Sequence, residues 1–361
     1  MSGHQGHRPR GDGPDPAYAI VIPTLGRPSL SVCLRALATG QGPRPRRIVL
    51  VDDRRPPGEP SSPADAIPDA LRPLVEIVRG RAAGPAAARN TGWTAAPEPW
   101  IAFLDDDVVP SPTWAADLAA DLAAAGPRTA GIQGRISVPL PQDRRATDWE
   151  RNTAGLATAR WITADMAYRR AGLEAVGGFD ERFPRAFRED ADLALRIADA
   201  GWELTVGRRR TTHPVRPADR WVSVRTQAGN ADDVLMNRIH GRDWWERAGA
   251  PRGRLPRHLA VTAAAAAGLV CAAAGRRRTA AVTAALWLAG TAEFAVARIL
   301  PGPRTRDEIA TMAASSVLIP PVAAAHWVKG LWTHGFVQRH DGRPRPRQTA
   351  APDRTAFDAR A

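Results

Sequence analysis

Trp100-Ile101-Ala102-Phe103-Leu104-Asp105-Asp106-Asp107 is an apolar run that stops abruptly in three consecutive carboxylates. Neighbouring acids repel and shift one another's pKa unless something compensates them. Mg²⁺ or Mn²⁺ does so with hard oxygen ligands and then reaches out to substrate phosphates. If the run is a strand, alternation puts Asp105 and Asp107 on one side and Asp106 on the other, so the outer two would share the ligand work. An acidic loop after a strand reads the same way in isolation, because a metal site needs ligands from elsewhere.

Outward from this run the pattern alternates regularly. Tyr18 to Thr24 reads as a strand, Ser29 to Ala38 as a helix with Ser29 as N-cap, and Arg47 to Val51 and Leu74 to Val78 as strands. Ala86 to Ala95 reads as a helix, Trp100 to Leu104 as a strand, and Thr113 to Ala125 as an Ala-rich helix closed by Gly126. Strand, helix, strand, helix implies an α/β layered fold with a mainly parallel sheet flanked by helices. Such sheets bind ligands beyond the carboxyl ends of their strands, where Asp52, Asp53 and the acidic triplet all fall.

The 361 residues allow one large domain with extra elements, or two domains. Fifty Lys+Arg against 37 Asp+Glu give a net charge of +13, which favours anionic partners such as nucleotides and lipid headgroups. Lys329 is the only lysine, an Arg bias that together with abundant Ala and Pro reflects a GC-rich coding sequence. There is no basic module interleaved with aromatics, so nucleic acid is not an expected partner. Cys33 and Cys271 lie far apart in apolar settings and read as packing residues. The first 16 residues read as a disordered tail without the apolar core of a secretory signal, which places catalysis on the cytoplasmic side.

Beyond about Arg254 three Ala-dominated apolar segments follow, Leu259 to Ala274, Ala280 to Ala292 and Ile309 to Ala325. A straight crossing needs roughly 20 apolar residues. These are shorter, and Glu293, Arg298 and Pro320-Pro321 interrupt the later two. In a spanning hairpin entered from the cytoplasm, Arg276 to Arg278 would lie outside, against the positive-inside tendency. A partly inserted or surface-lying arrangement fits better, with Trp244-Trp245, Trp327, Lys329 and Trp332 as interfacial anchors. A soluble helical bundle packed on the catalytic domain is the alternative. The expected organisation is a tail at 1–16, a catalytic domain at 17–240, an apolar helical, membrane-associated region at 241–335 and a disordered Arg/Pro-rich tail at 336–361.

Gly84 to Gly92 leads from a glycine turn into a helix, where free backbone N–H groups and Arg89 can meet a phosphate or a base. Gly177-Gly178-Phe179-Asp180 followed by Arg188-Glu189-Asp190-Ala191-Asp192 is more specific in combination. The second part starts a helix whose dipole favours acids in its first turn and would keep Asp190 ionised near neutrality. An ionised carboxylate facing a sugar site can take the proton from an attacking hydroxyl. Helix capping is the plainer role for Glu189 and Asp190, and Asp192 with Arg196 reads as a helix-surface ion pair.

Together these residues resemble glycosyltransferase family 2, whose members have the Rossmann-like GT-A fold. The resemblance covers about Tyr18 to His213, through Ile20 to Arg27, Val51-Asp52-Asp53, Ala88 to Gly92, the acidic triplet and the later glycine and acidic segments, in matching order and spacing. It implies that Thr24, Asp52, Arg89, Asn90 and Asp105 hold the donor nucleotide, and that Asp105 and Asp107 contact the metal. Ala164 to Arg170 and Gly177 to Asp180 look like the acceptor side, so Asp165 and Gly178, with Glu189, are expected there. Asp190 falls on the family's catalytic base. His213 is a candidate third metal ligand, an exposed loop histidine being the alternative. Arg54-Arg55 after the Val-Asp-Asp segment, and Leu25-Gly26, depart from the family's commoner residues and leave the donor base and sugar open.

The resulting expectation is an inverting transferase moving a sugar from a nucleotide-diphosphate donor to a lipid-linked or glycan acceptor, at a hydroxyl or phosphate, with Mg²⁺ or Mn²⁺. Cell-envelope synthesis at the cytoplasmic face of the membrane is its expected setting. The rivals are a glycoside hydrolase with paired carboxylates, which would need no nucleotide, and a non-catalytic membrane-bound scaffold of the same fold.

Overall fold

The computed structural model describes residues 16–55 and 62–335; most of the two expected terminal tails and part of the Pro/Ser-rich stretch from Gly58 to Pro68 lie outside them. Eight strands form one sheet: β1 (Tyr18–Thr24), β2 (Arg47–Asp52), β3 (Val75–Arg79), β4 (Trp100–Leu104), β5 (Val109–Pro110), β6 (Thr129–Ser137), β7 (Asp165–Arg169) and β8 (Glu203–Thr212). Their order is β3-β2-β1-β4-β7-β6-β8-β5. β3, β2, β1 and β4 run parallel, as do β6 and β8, whereas β7 is antiparallel to both neighbours and β5 to β8. The fold is thus the expected α/β, GT-A arrangement, with a sheet that turns mixed after β4.

Alternation along the strands explains why both faces are covered. Tyr18, Ile20 and Ile22, with Ile48, Leu50, Trp100 and Leu104, pack on α1 (Ser29–Thr39) and on α3 (Trp114–Ala123). Ala19, Val21, Val49, Val51, Ile101 and Phe103 point the other way, onto α2 (Pro85–Ala95) and onto α5 (Arg170–Val176) and α6 (Glu189–Asp199). α4 (Asp148–Ala154) begins with a capping box between Thr147 and Glu150. α6 is buried on two sides: Leu193 and Ile197 meet the sheet, while Ala191 and Leu195 join Leu235, Met236 and Ile239 of α8 (Gly229–His240), which follows the short α7 (Val222–Arg225). At α1 the cap is Pro28, without a side-chain bond, and the Ser29 hydroxyl is buried and unpartnered among the described residues, so Ser29 is not the N-cap. Cys33 and Cys271 are free thiols.

After α9 (Trp244–Arg247), α10 (Leu255–Ala273), α11 (Arg277–Ile299) and α12 (Arg306–His334) have 19, 23 and 29 residues, each long and apolar enough to cross a membrane. The length objection read from the sequence is thereby removed: the helices run on past their apolar cores, and α12 continues through Pro320 and Pro321. The charges are also accommodated. Arg298 bonds Asp148, Ser315 and Ser316, and Glu293 pairs with Arg254. α12 nevertheless packs along α8; a Cβ on Gly330 would stand 2.8 Å from Ala231 Cα, so only glycine permits this approach. Trp332 is 89% exposed, as an interfacial anchor requires, but Trp244 is core, donating to Asn237 Oδ1.

Candidate active site

The acidic triplet lies just past the end of β4, in a turn. Its three side chains divide as strand alternation anticipated. Asp106 turns back to β1, accepting from Thr24 Oγ1 at 2.8 Å and from Arg27 Nη1 at 3.0 Å. Asp105, Asp107 and His213 instead converge, each bringing one ligand atom to within 4.8 Å of the others. His213 follows β8, and its Nδ1 lies 3.1 Å from the Pro214 carbonyl. A carbonyl only accepts, so Nδ1 carries a proton there, and Nε2 faces the acidic pair, 3.8 Å from Asp107 Oδ1. Two carboxylate oxygens and an imidazole nitrogen fit a divalent cation such as Mn²⁺ or Mg²⁺. Burial, and then Asp105, raise the Asp107 pKa, which is the electrostatic demand such an ion would relieve. Arg216 answers part of it, with Nε 2.8 Å from Asp107 Oδ2. Sequence reasoning missed Arg216, whose loop carries no motif.

Arg89, on α2 and 97% buried, links the triplet to the start of α6. Its Nη2 donates to Asp105 Oδ1 and its Nη1 to Glu189 Oε1, both at 2.8 Å. Desolvation opposes its charge, but Asp105 and Glu189 overcome it and hold the guanidinium firmly protonated. Burial first, then Asp190, push the Glu189 carboxyl up to about 8. Asp190 is half-buried, its Oδ1 accepting the Ala191 N–H at 2.7 Å. Burial raises its pKa against the pull of that N–H, Arg89 and Arg188, so the helix terminus does not act alone as the sequence suggested. The turn into α6 is built by Arg188 with φ of 75°, an uncommon conformation for a residue with a side chain. Asp233 at 2.8 Å and the rings of Phe187 and Trp244 hold Arg188 there.

Other expected site residues are engaged in structure. The Asn90 side chain donates to the Phe179 carbonyl and Glu181 and accepts from Trp93 Nε1 and the Phe179 N–H, fastening α2 to the 178–181 segment. Gly178, in that segment, has φ of +74°, and a Cβ would stand 2.6 Å from Asn90 Oδ1. Asp52 accepts from Arg54 Nε and Nη2 and from Arg79 Nη1, and these arginines lower its pKa. Asp165 is fully buried, accepting from Trp114 Nε1 at 2.8 Å, Arg209 Nε at 2.7 Å and Thr211 Oγ1 at 2.5 Å. Its carboxylate therefore fixes β7 to β8 and α3 and does not face an acceptor. Asp192 and Arg196 are not a surface pair: both are buried, Arg196 also donating to the Val176 and Gly178 carbonyls and Asp192 meeting His240 Nε2 at 2.8 Å.

Residues 19–171 match the family model for Glycosyl transferase family 2. Pre-mycofactocin glycosyltransferase from Mycobacterium tuberculosis is 30% identical in an alignment 199 residues long that covers 51% of this chain and 40% of that protein. The chain thus spans well under half the length of the curated relatives it matches. A mannosyltransferase from Pyrobaculum calidifontis, solved in complex with GDP-Man and Mn²⁺, is similar in fold, with a TM-score of 0.51, 21% identity, and coverage of 90% of this chain and 91% of that one.

Proposed function

We propose, from the match of residues 19–171 to the glycosyl transferase family 2 model, that the chain is an inverting glycosyltransferase using a nucleotide-diphosphate sugar. Its acceptor is a hydroxyl or phosphate on a lipid-linked or glycan molecule at the membrane, with cell-envelope synthesis as the setting. The observation that carries the reading is the Arg89 bridge, which ties Asp105 to Glu189, the neighbour of Asp190, through two 2.8 Å bonds. One donor molecule can thereby meet the acidic triplet and the α6 carboxylates together.

Asp105, Asp107 and His213 would hold Mg²⁺ or Mn²⁺, which when bound supplies Lewis-acid stabilisation of the departing pyrophosphate. Thr24, at the end of β1, and Asp52, held in place by Arg54 and Arg79, bound the nucleotide side. Asp190 takes the acceptor proton as the acceptor oxygen attacks the anomeric carbon opposite the leaving group, which inverts that centre. Arg89 and Glu189 position this base, and Arg89 orients Asp105. Asn90, Gly178 and Asp165 support the same surface from beneath, shaping it without touching substrate.

Residues 17–240 form the catalytic unit in this reading and 241–335 its membrane attachment, on the cytoplasmic face. Three helices of spanning length support attachment, and the docking of α12 along α8 makes α10 and α11 the better candidates for insertion. Nucleotide release measured with candidate sugar nucleotides and polyprenyl phosphate, with and without Mn²⁺, tests the function. Donor hydrolysis or transfer independent of divalent cation and of Asp190 would overturn it.

A further inference from the structure

Where α10 and α11 meet α12, a cavity of about 420 Å³ is lined by residues that include Arg254, Arg257, Val261, Phe294 and Pro320. It lies at the end of the α10–α11 pair nearest the catalytic unit, since Arg298, one turn beyond Phe294, bonds Asp148 of α4. Arg254 stacks over Phe294 at 5.1 Å and pairs with Glu293. Arg257 is 71% exposed and approaches Glu293 only to 3.6 Å. Two guanidinium groups therefore share one carboxylate, leaving an excess positive charge beside apolar walls. Arg298 is already committed to Asp148, Ser315 and Ser316. Excess guanidinium charge on an apolar cavity favours a ligand that brings anionic oxygen on an apolar body. Further along the same two helices Leu269, Val270, Val282 and Leu286 are 60–75% exposed. With that surface in hydrocarbon, the cavity falls at headgroup level.

We propose that this cavity binds the phosphate of an anionic phospholipid, with Arg254 and Arg257 on the phosphate oxygens and the acyl chains along α10 and α11. The inference rests on the membrane attachment proposed above. Glu293 competes for the same arginines, so its removal and theirs act in opposite directions, which a purely structural ion pair would not do.

The test uses the full chain in mild detergent with added phosphatidylglycerol, counting retained lipid by native mass spectrometry, alongside flotation on phosphatidylcholine vesicles with and without phosphatidylglycerol. Each arginine charge near a lipid surface changes binding about fivefold. Expected are one retained phosphatidylglycerol per chain, a loss of about fivefold or more in Arg254→Gln/Arg257→Gln, and a gain in Glu293→Gln. Arg257→Gln alone, at an exposed side chain, carries the test if the double variant does not fold. Unchanged retention in the arginine variants, or a fall in Glu293→Gln, overturns the proposal. Displacement of the lipid by millimolar inorganic phosphate overturns it too, in favour of a free-phosphate site. Failure to bind any vesicle overturns it together with the membrane reading, whereas binding to phosphatidylcholine without phosphatidylglycerol retention overturns the phosphate site alone.

Discussion

Replacing Asp190 by Asn removes a proton acceptor while keeping the shape of the turn. Asp190 Oδ1 accepts the Ala191 N–H at 2.7 Å, a bond that an amide oxygen also makes, so the start of α6 should survive. Among the described residues Oδ2 meets no donor, which leaves it for the acceptor hydroxyl. General-base catalysis contributes about 10²–10⁴-fold, equivalent to roughly 3–5 kcal/mol at the transition state. The variant should therefore retain about 1% of wild-type turnover or less. Donor affinity by calorimetry with Mn²⁺ should change little, because Arg89, Asp105 and Asp107 are untouched. The pH profile adds an independent readout. Burial raises the Asp190 pKa, so the wild-type rate should climb with pH through an inflection above the ordinary aspartate range. Asp190→Asn should lose that limb. Turnover above a few per cent of wild type, with the limb intact, would refute the assignment of the base.

Asp107→Ala should weaken Mn²⁺-dependent donor binding, and unchanged affinity in calorimetry would remove Asp107 from the metal group. Arg216→Gln withdraws a guanidinium that competes for Asp107 Oδ2; the Mn²⁺ concentration for half-maximal activity should fall by about threefold or more, on the scale of a partly exposed ion pair, and a rise would make Arg216 a helper instead. Asp165→Ala takes from the fully buried Arg209 its shorter carboxylate contact, leaving Asp121 at 3.4 Å, and should cost about 3 kcal/mol in denaturant unfolding while leaving the acceptor KM of the remaining folded enzyme unchanged. Glu189 binds its proton more tightly folded than unfolded, so its contribution to stability is complete below about pH 4.5 and is lost as pH rises towards 8. Glu189→Gln should flatten that decline in unfolding free energy between pH 5 and 8, a comparison that urea titrations at three pH values would make.

Local chemistry made much of the molecule legible. Alternation along Tyr18–Thr24 and Trp100–Leu104 specified strands buried on both faces, and the crowded carboxylates after Leu104 marked the metal-type group before any partner was visible. Helix ends were less legible, because Ala-rich segments carry weak stop signals; α11 and α12 outran the apolar stretches that announced them. Partnerships distant in the chain were not legible. Arg89 meets Glu189 across 100 positions, His240 meets Asp192 across 48, and the same arginine-aspartate spacing that reads as a surface pair became a buried one at Asp192 and Arg196. Asp165 carries a motif that looks acceptor-facing, yet Trp114, Arg209 and Thr211 enclose it.

By itself the sequence determined the strand and helix alternation, the acidic turn and the acid-rich start of α6, because each follows from side-chain periodicity or from charge spacing within a few residues. Tertiary structure alone decided which carboxylates converge, which are consumed as anchors and how α12 lies on α8. Those outcomes depend on burial and on hydrogen-bond geometry between segments far apart in the chain, where one desolvated arginine chooses among several acids and local propensity has no bearing.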